Sequence, residues 1–97
     1  MITECARLDV RPGEEVRFEA AFREAQAIIA SMPGYLGHEL RPCIERSNRY
    51  LLLVRWRRLE DHTLGFRGSR AYQRWAGLLH PFYEPLPEVE HYGEPLA

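Results

Sequence analysis

The 97 residues, 45% of them hydrophobic, suffice for one domain, though a chain this short buries only about 60–65% of the surface its unfolded form exposes. Thirteen basic residues, all arginine, against fourteen acidic ones leave a net charge of −1, which excludes the overall basic field that nucleic-acid binders use. Two cysteines in a chain with an ordinary apolar fraction require no disulfide framework, no basic-then-apolar leader follows Met1, and no apolar run is long enough to span a bilayer. The expectation is therefore a reduced, cytoplasmic protein without membrane or nucleic-acid partners.

In chain order, residues 2–10 set Ile2, Ala6, Leu8 and Val10 against Thr3, Arg7 and Asp9, the period-two pattern of a strand, with Glu4 interrupting the apolar side. After the turn "RPGEE", the apolar positions Val16, Phe18, Ala21, Phe22, Ala25, Ile28, Ile29 and Met32 recur at three and four, which predicts an amphipathic helix ended by "MPGY". "YLGHELRPCIE" reads as a second strand weakened by Gly37 and Pro42, and "YLLLVRW" as a central strand apolar on both faces. "RRLEDHT" predicts a short helical turn, Ser69 an N-cap for a helix over about 70–80, and "EVEHYG" a last strand beyond three prolines.

The order β-α-β-β-α-β predicts an α+β, ferredoxin-like domain over residues 1–97: an antiparallel sheet with both helices on one face. A central strand that is apolar on both sides also asks for cover on the helix-free face. The simplest cover is a second copy, so a homodimer is expected. Cys5 and Cys43 fall on strands that this topology keeps apart, so both are expected as free thiols.

Metal-ligand spacings are missing: His38, His62, His80 and His91 are scattered, and there is no H-x-x-x-H or C-x-x-C. Glycine-rich phosphate loops and the G-x-S-x-G nucleophile motif are absent too. What remains is an aromatic-rich stretch, "HTLGFRGSRAYQRWAGLLHPFY". On a helix from Arg70 the spacings place Tyr72, Trp75, Ala76, Leu79 and Tyr83 on one side, with His80 at its border and His62 in the segment feeding the helix. That face reads equally as core packing or as the wall of a pocket, and each histidine taken alone is also explained as structural.

The run "RPGEEVRFEAAF…PGYLGHELRP…NRYLLLVRW…DHTLGFRGSRAYQRW" resembles the antibiotic biosynthesis monooxygenase (ABM) domain family. The resemblance spans nearly the whole chain and implies a dimeric α+β barrel. It also implies a choice among activities, since such domains include cofactor-free quinone-forming oxygenases, haem-degrading enzymes and isomerase-type members. In the haem-degrading branch an Asn, a Trp and a His ligand occupy the positions of Ala6, Phe66 and Ala76 here, so haem degradation is not expected. Many other members carry a histidine where Phe66 stands, and His62 lies four residues before it. The resemblance thus implies a cofactor-free monooxygenase that oxidises a small phenol- or anthrone-like aromatic with O₂. His62, Tyr72 and His80 are its candidate catalytic groups, Phe22, Trp56, Phe66, Trp75 and Leu79 its candidate substrate walls, and no metal or cofactor is called for. The alternatives are a non-catalytic small-ligand or haem-binding dimer and an isomerase acting on an oxygenated metabolite.

Overall fold

A computed structural model describes all 97 residues. Its elements are β1 (Ile2–Asp9), α1 (Glu15–Ala30), β2 (Tyr35–Pro42), β3 (Arg49–Trp56), a π-helical turn (Asp61–Phe66), α2 (Arg70–Leu79), a 3₁₀ turn (His80–Phe82) and β4 (Val89–Tyr92). The strands form one antiparallel sheet in the order β2-β3-β1-β4, the ferredoxin-like arrangement. β1 and β2, which carry or precede the two cysteines, are separated by β3, and both cysteines are free thiols. Alkylation of the unreduced protein is expected to add two labels; a count of zero would contradict the strand order.

Both helices bury their apolar faces against one side of the sheet. α1 contributes Phe18, Phe22, Ala25 and Ile29, at spacings of four, three and four, while α2 contributes Trp75 and Leu79. They meet Ala6 and Leu8 of β1 and Tyr50, Leu52, Val54 and Trp56 of β3. Val16, expected on the buried side of α1, is instead 82% exposed: two residues before Phe18, it points about 200° away from it around the helix. Ser69 caps α2 as anticipated, its hydroxyl accepting a hydrogen bond from the Tyr72 N–H at 3.1 Å.

β3 does not read as the sequence suggested, because burial along it alternates strictly. Tyr50, Leu52, Val54 and Trp56 face the helices and are buried, while Arg49, Leu51, Leu53 and Arg55 lie half-exposed on the open face. There Arg49 pairs with Asp9 at 2.7 Å and Arg55 with Glu39 at 3.3 Å, so the open face is an apolar strip between ion pairs. The apolar run reflects helix packing on one side only.

Two local features position the site. Gly34 has φ +85°, and a Cβ there would fall 2.2 Å from a side-chain oxygen of Asp61, the residue that opens the π-helical turn. That turn is wider than an α-helical one, the Arg67 N–H reaching back to the His62 carbonyl at 3.0 Å. His62 and Phe66 are its buried residues, and both pack on Trp56.

Candidate active site

At one end of the sheet the helix side holds a carboxylate. Glu4 is only 6% exposed, and its side chain shares the helix-facing side of β1 with Ala6 and Leu8. Glu4 Oε1 accepts a hydrogen bond from the Trp56 indole N–H at 2.9 Å and lies 3.3 Å from His62 Nε2. The other His62 nitrogen, Nδ1, is 2.8 Å from Nε2 of His91, which stands directly opposite Glu4 in the β1–β4 ladder. The imidazole of His62 is stacked on Trp56, with ring centres 5.5 Å apart. Four side chains from three strands and the π-helical turn thus form one connected polar group inside the core.

Burial pushes the Glu4 carboxyl above its usual range, while the Trp56 N–H and the Arg67 guanidinium pull the other way. Burial holds the imidazole of His62 down to about 3, with Arg67 and His91 adding to the effect. His62 is therefore neutral, and its 3.3 Å approach to Glu4 is a close polar contact rather than an ion pair. With Glu4 ionised, the Trp56 N–H donates to Oε1 and the Nε2 edge of His62 faces the same oxygen, an arrangement that favours the Nε2–H tautomer of His62 with Nδ1 accepting from the Nε2–H of His91. Glu4 Oε2 has no protein partner, and no side-chain oxygen sealed from solvent goes unpaired in the molecule.

Oε2 is left to a cavity of about 50 Å³ that Glu4 and His62 line together with Phe66, Arg67, Tyr72, Trp75, His80 and Tyr83. Pro87 and Val89 line its remaining side, and Ala6, Leu8 and Leu52 its floor. The three candidate catalytic residues, His62, Tyr72 and His80, thus meet around one space. Of the candidate walls, Phe66 and Trp75 line it. Trp56 and Leu79 are fully buried behind it, and Phe22 borders a different groove, between α1 and β2. Phe22 reaches the site only by packing edge-on against Trp75, ring centres 5.8 Å apart.

His80 has no hydrogen-bond partner on its ring, and burial lowers its pKa, so it faces the cavity as a neutral imidazole. Burial raises the pKa of Tyr83, with Tyr72 and Glu4 adding to the effect, which keeps its hydroxyl a proton donor. Arg67 is exposed at the rim and forms no ion pair. At about 50 Å³ the cavity is far below the roughly 300–1,000 Å³ of ordinary ligand pockets, and Ala6 and Phe66 fill part of the helix side of the sheet beside it.

Glu4, His91 and Arg67 were not among the candidate site residues read from the sequence, where Tyr83 had been placed only on the aromatic face that leads out of α2. Glu4 had left a trace in the sequence, as the one acidic residue on the apolar side of the first strand.

An α+β domain whose helices roof a small aromatic cavity on a four-stranded sheet is the architecture of the ABM domains. The chain belongs to the antibiotic biosynthesis monooxygenase family, whose model matches residues 1–78. It is 54% identical over 92 residues to the uncharacterised protein YczJ of Bacillus subtilis, a match covering 95% of this chain and 97% of the relative. A solved Bordetella bronchiseptica structure, provisionally described as an antibiotic biosynthesis monooxygenase, superposes with a TM-score of 0.93 at 34% identity over 98% of this chain and 97% of its own. SnoaB of Streptomyces nogalater, a cofactor-independent oxygenase, superposes with a TM-score of 0.85 over 99% of this chain and 94% of its own; at 20% identity it speaks for the fold alone.

Proposed function

We propose that the protein is a cofactor-free monooxygenase that oxidises a small phenol- or anthrone-like aromatic with O₂ in the cavity beneath the helices. The observation that carries this reading is Glu4: a carboxylate inside an aromatic cavity, held through Oε1 by Trp56 and His62, with Oε2 free. A base raised by burial and fixed in one orientation suits the removal of a phenolic proton. Arg67 at the rim, with the Tyr72 hydroxyl, favours the resulting anion. The anion passes one electron to O₂, and the two radicals join as a peroxide anion on carbon, which takes the proton from Glu4 to become a hydroperoxide. Glu4 then removes the remaining C–H proton as the O–O bond breaks, which leaves a carbonyl, and passes that proton to the departing hydroxide, so that CH₂ and O₂ become C=O and H₂O. SnoaB, built on the same fold, offers a precedent for oxygenation without a cofactor.

At about 50 Å³ the cavity takes dioxygen or water; the aromatic enters when the segment carrying Pro87, which has no regular structure, moves aside. Oxygen-electrode measurements on metal-free protein with a panel of anthrones and reduced polycyclic phenols test the reading. Uptake of one O₂ per product molecule is expected with at least one of them, and no uptake above the protein-free rate with any would overturn it.

The open sheet face, with Leu51 and Leu53 between Arg49 and Arg55, is the proposed seat of a second copy. Sedimentation is expected to give a dimer at micromolar concentration. Leu53→Glu, which places a charge in the middle of the face, is expected to give a monomer.

A further inference from the structure

The line Glu4–His62–His91 leads out of the cavity, a property for which the proposed oxygenation has no direct use. Glu4 and His62 line the cavity, whereas His91 stands outside it, half-buried on β4 at the edge of the sheet. We infer that these three side chains form a proton relay through which the buried carboxylate exchanges one proton with solvent by way of His91.

The separations of 3.3 Å from Glu4 Oε1 to His62 Nε2 and 2.8 Å from His62 Nδ1 to His91 Nε2 are within or just beyond hydrogen-bond reach. An imidazole can accept a proton on one nitrogen as it releases one from the other. In the first state Glu4 is ionised, His62 donates Nε2–H to it, and His91 donates Nε2–H to His62. A proton arriving at His91 Nδ1 pushes the Nε2 proton of His91 onto His62 Nδ1, and the Nε2 proton of His62 onto Glu4 Oε1. The second state is a neutral carboxyl donating to His62 Nε2, with Nδ1–H of His62 now donating to His91 Nε2. One proton has entered, no imidazolium persists on His62, and reversal discharges the carboxyl.

The other partner of Oε1, the Trp56 indole, only donates and cannot relay. Arg67 is the one permanent cation near the group and opposes a second positive charge on either histidine, which favours the neutral shift. Tyr72, Tyr83 and His80 line the same cavity as Glu4; burial raises the pKa of the Tyr83 hydroxyl and lowers that of the His80 imidazole, so neither of these two carries charge there.

The relay rests on the proposed reaction for its use, since a base that has taken the substrate's proton has to be reset between turnovers. Its existence is testable without turnover, by nuclear magnetic resonance of the full chain with ¹⁵N-labelled histidine and ¹³C-labelled glutamate. His62 is expected to change from Nε2–H to Nδ1–H as the pH falls, at the same midpoint as the Glu4 carboxyl. In His91→Phe, Glu4 is expected to titrate while His62 stays Nε2–H. A single His62 tautomer throughout the titration of the unmodified protein overturns the relay, as does a switch that survives in His91→Phe. If that variant does not fold, the unmodified protein alone decides. Oxygen uptake absent with the switch present removes the proposed reaction and leaves the relay; the switch absent with uptake present removes the relay alone.

Discussion

Glu4→Gln is expected to lower oxygen uptake by a factor on the order of 10²–10⁴, the usual contribution of a positioned general base, while leaving the protein folded. The amide keeps the shape of the side chain, and its oxygen still accepts from the Trp56 N–H and faces His62 Nε2. What is lost is the free, proton-accepting Oε2. The sign of the stability change gives an independent check. Burial raises the Glu4 pKa above its value of 4.5 in the unfolded chain, so the folded state holds the proton more tightly and loses stability as the pH rises through the folded pKa. Glu4→Gln escapes that loss. It is expected to gain on the native protein in thermal melts at pH 8 and to lose that advantage below pH 4.5. A variant that turns over like the native protein would remove Glu4 from the mechanism.

Acid unfolding centred on His62 has the second large effect. The imidazole stays neutral in the folded protein down to about 3 but protonates near 6.5 once unfolded. Because the unfolded chain then binds the extra proton, stability is fully present above pH 6.5 and is lost as the pH falls toward 3. At about 1.4 kcal/mol per pH unit, this amounts to on the order of 5 kcal/mol from His62 alone. Glu4 works in the opposite sense, because its uptake of a proton above pH 4.5 restores part of the loss. Urea unfolding between pH 3 and 8 is expected to show a steep decline for the native protein and a much flatter one for His62→Gln, which keeps a polar side chain but does not titrate. Parallel curves would mean that His62 is not held neutral by its surroundings.

The elements were legible in the sequence because each rests on local patterns. Period two marks β1, spacings of three and four mark α1 and α2, Ser69 starts α2, and Pro33 with Gly34 ends α1. The site was legible only in part. His62, Tyr72 and His80 were expected to share a cavity because their spacing clusters them on and just before one helix, and they line the same space. Glu4 and His91 join them only through the register of β1 with β4, and Trp56 through that of β1 with β3; no local pattern carries either pairing. The alternation of β1 did mark Glu4 as out of place, and a carboxylate on the apolar side of a strand calls for buried donors. Phe22 was assigned to the wall because α1 faces the sheet. Its position along α1 sends it instead toward the groove beside β2, where His38 is held by Gln26 and Tyr35.

The mechanism also bears on why His62 sits in a π-helical turn. The wider turn carries His62 and Phe66 together onto Trp56, and Gly34 leaves the space that Asp61 needs to begin it. Any side chain at position 34 would collide with Asp61, so the approach of α1 to the sheet and the placement of His62 are fixed by the same glycine.

The central claim is that oxygen from O₂ enters an aromatic substrate in this cavity with no cofactor. Its most direct test is turnover under ¹⁸O₂ by protein freed of metal and haem, with whichever anthrone or phenol supports oxygen uptake and with product masses read for the native chain and for Glu4→Gln. The account predicts one ¹⁸O atom in the product and the second in water, with the labelled product reduced in proportion to the loss of rate in the variant. An unlabelled product, or the same product formed under argon, would contradict it and assign the cavity to an isomerisation.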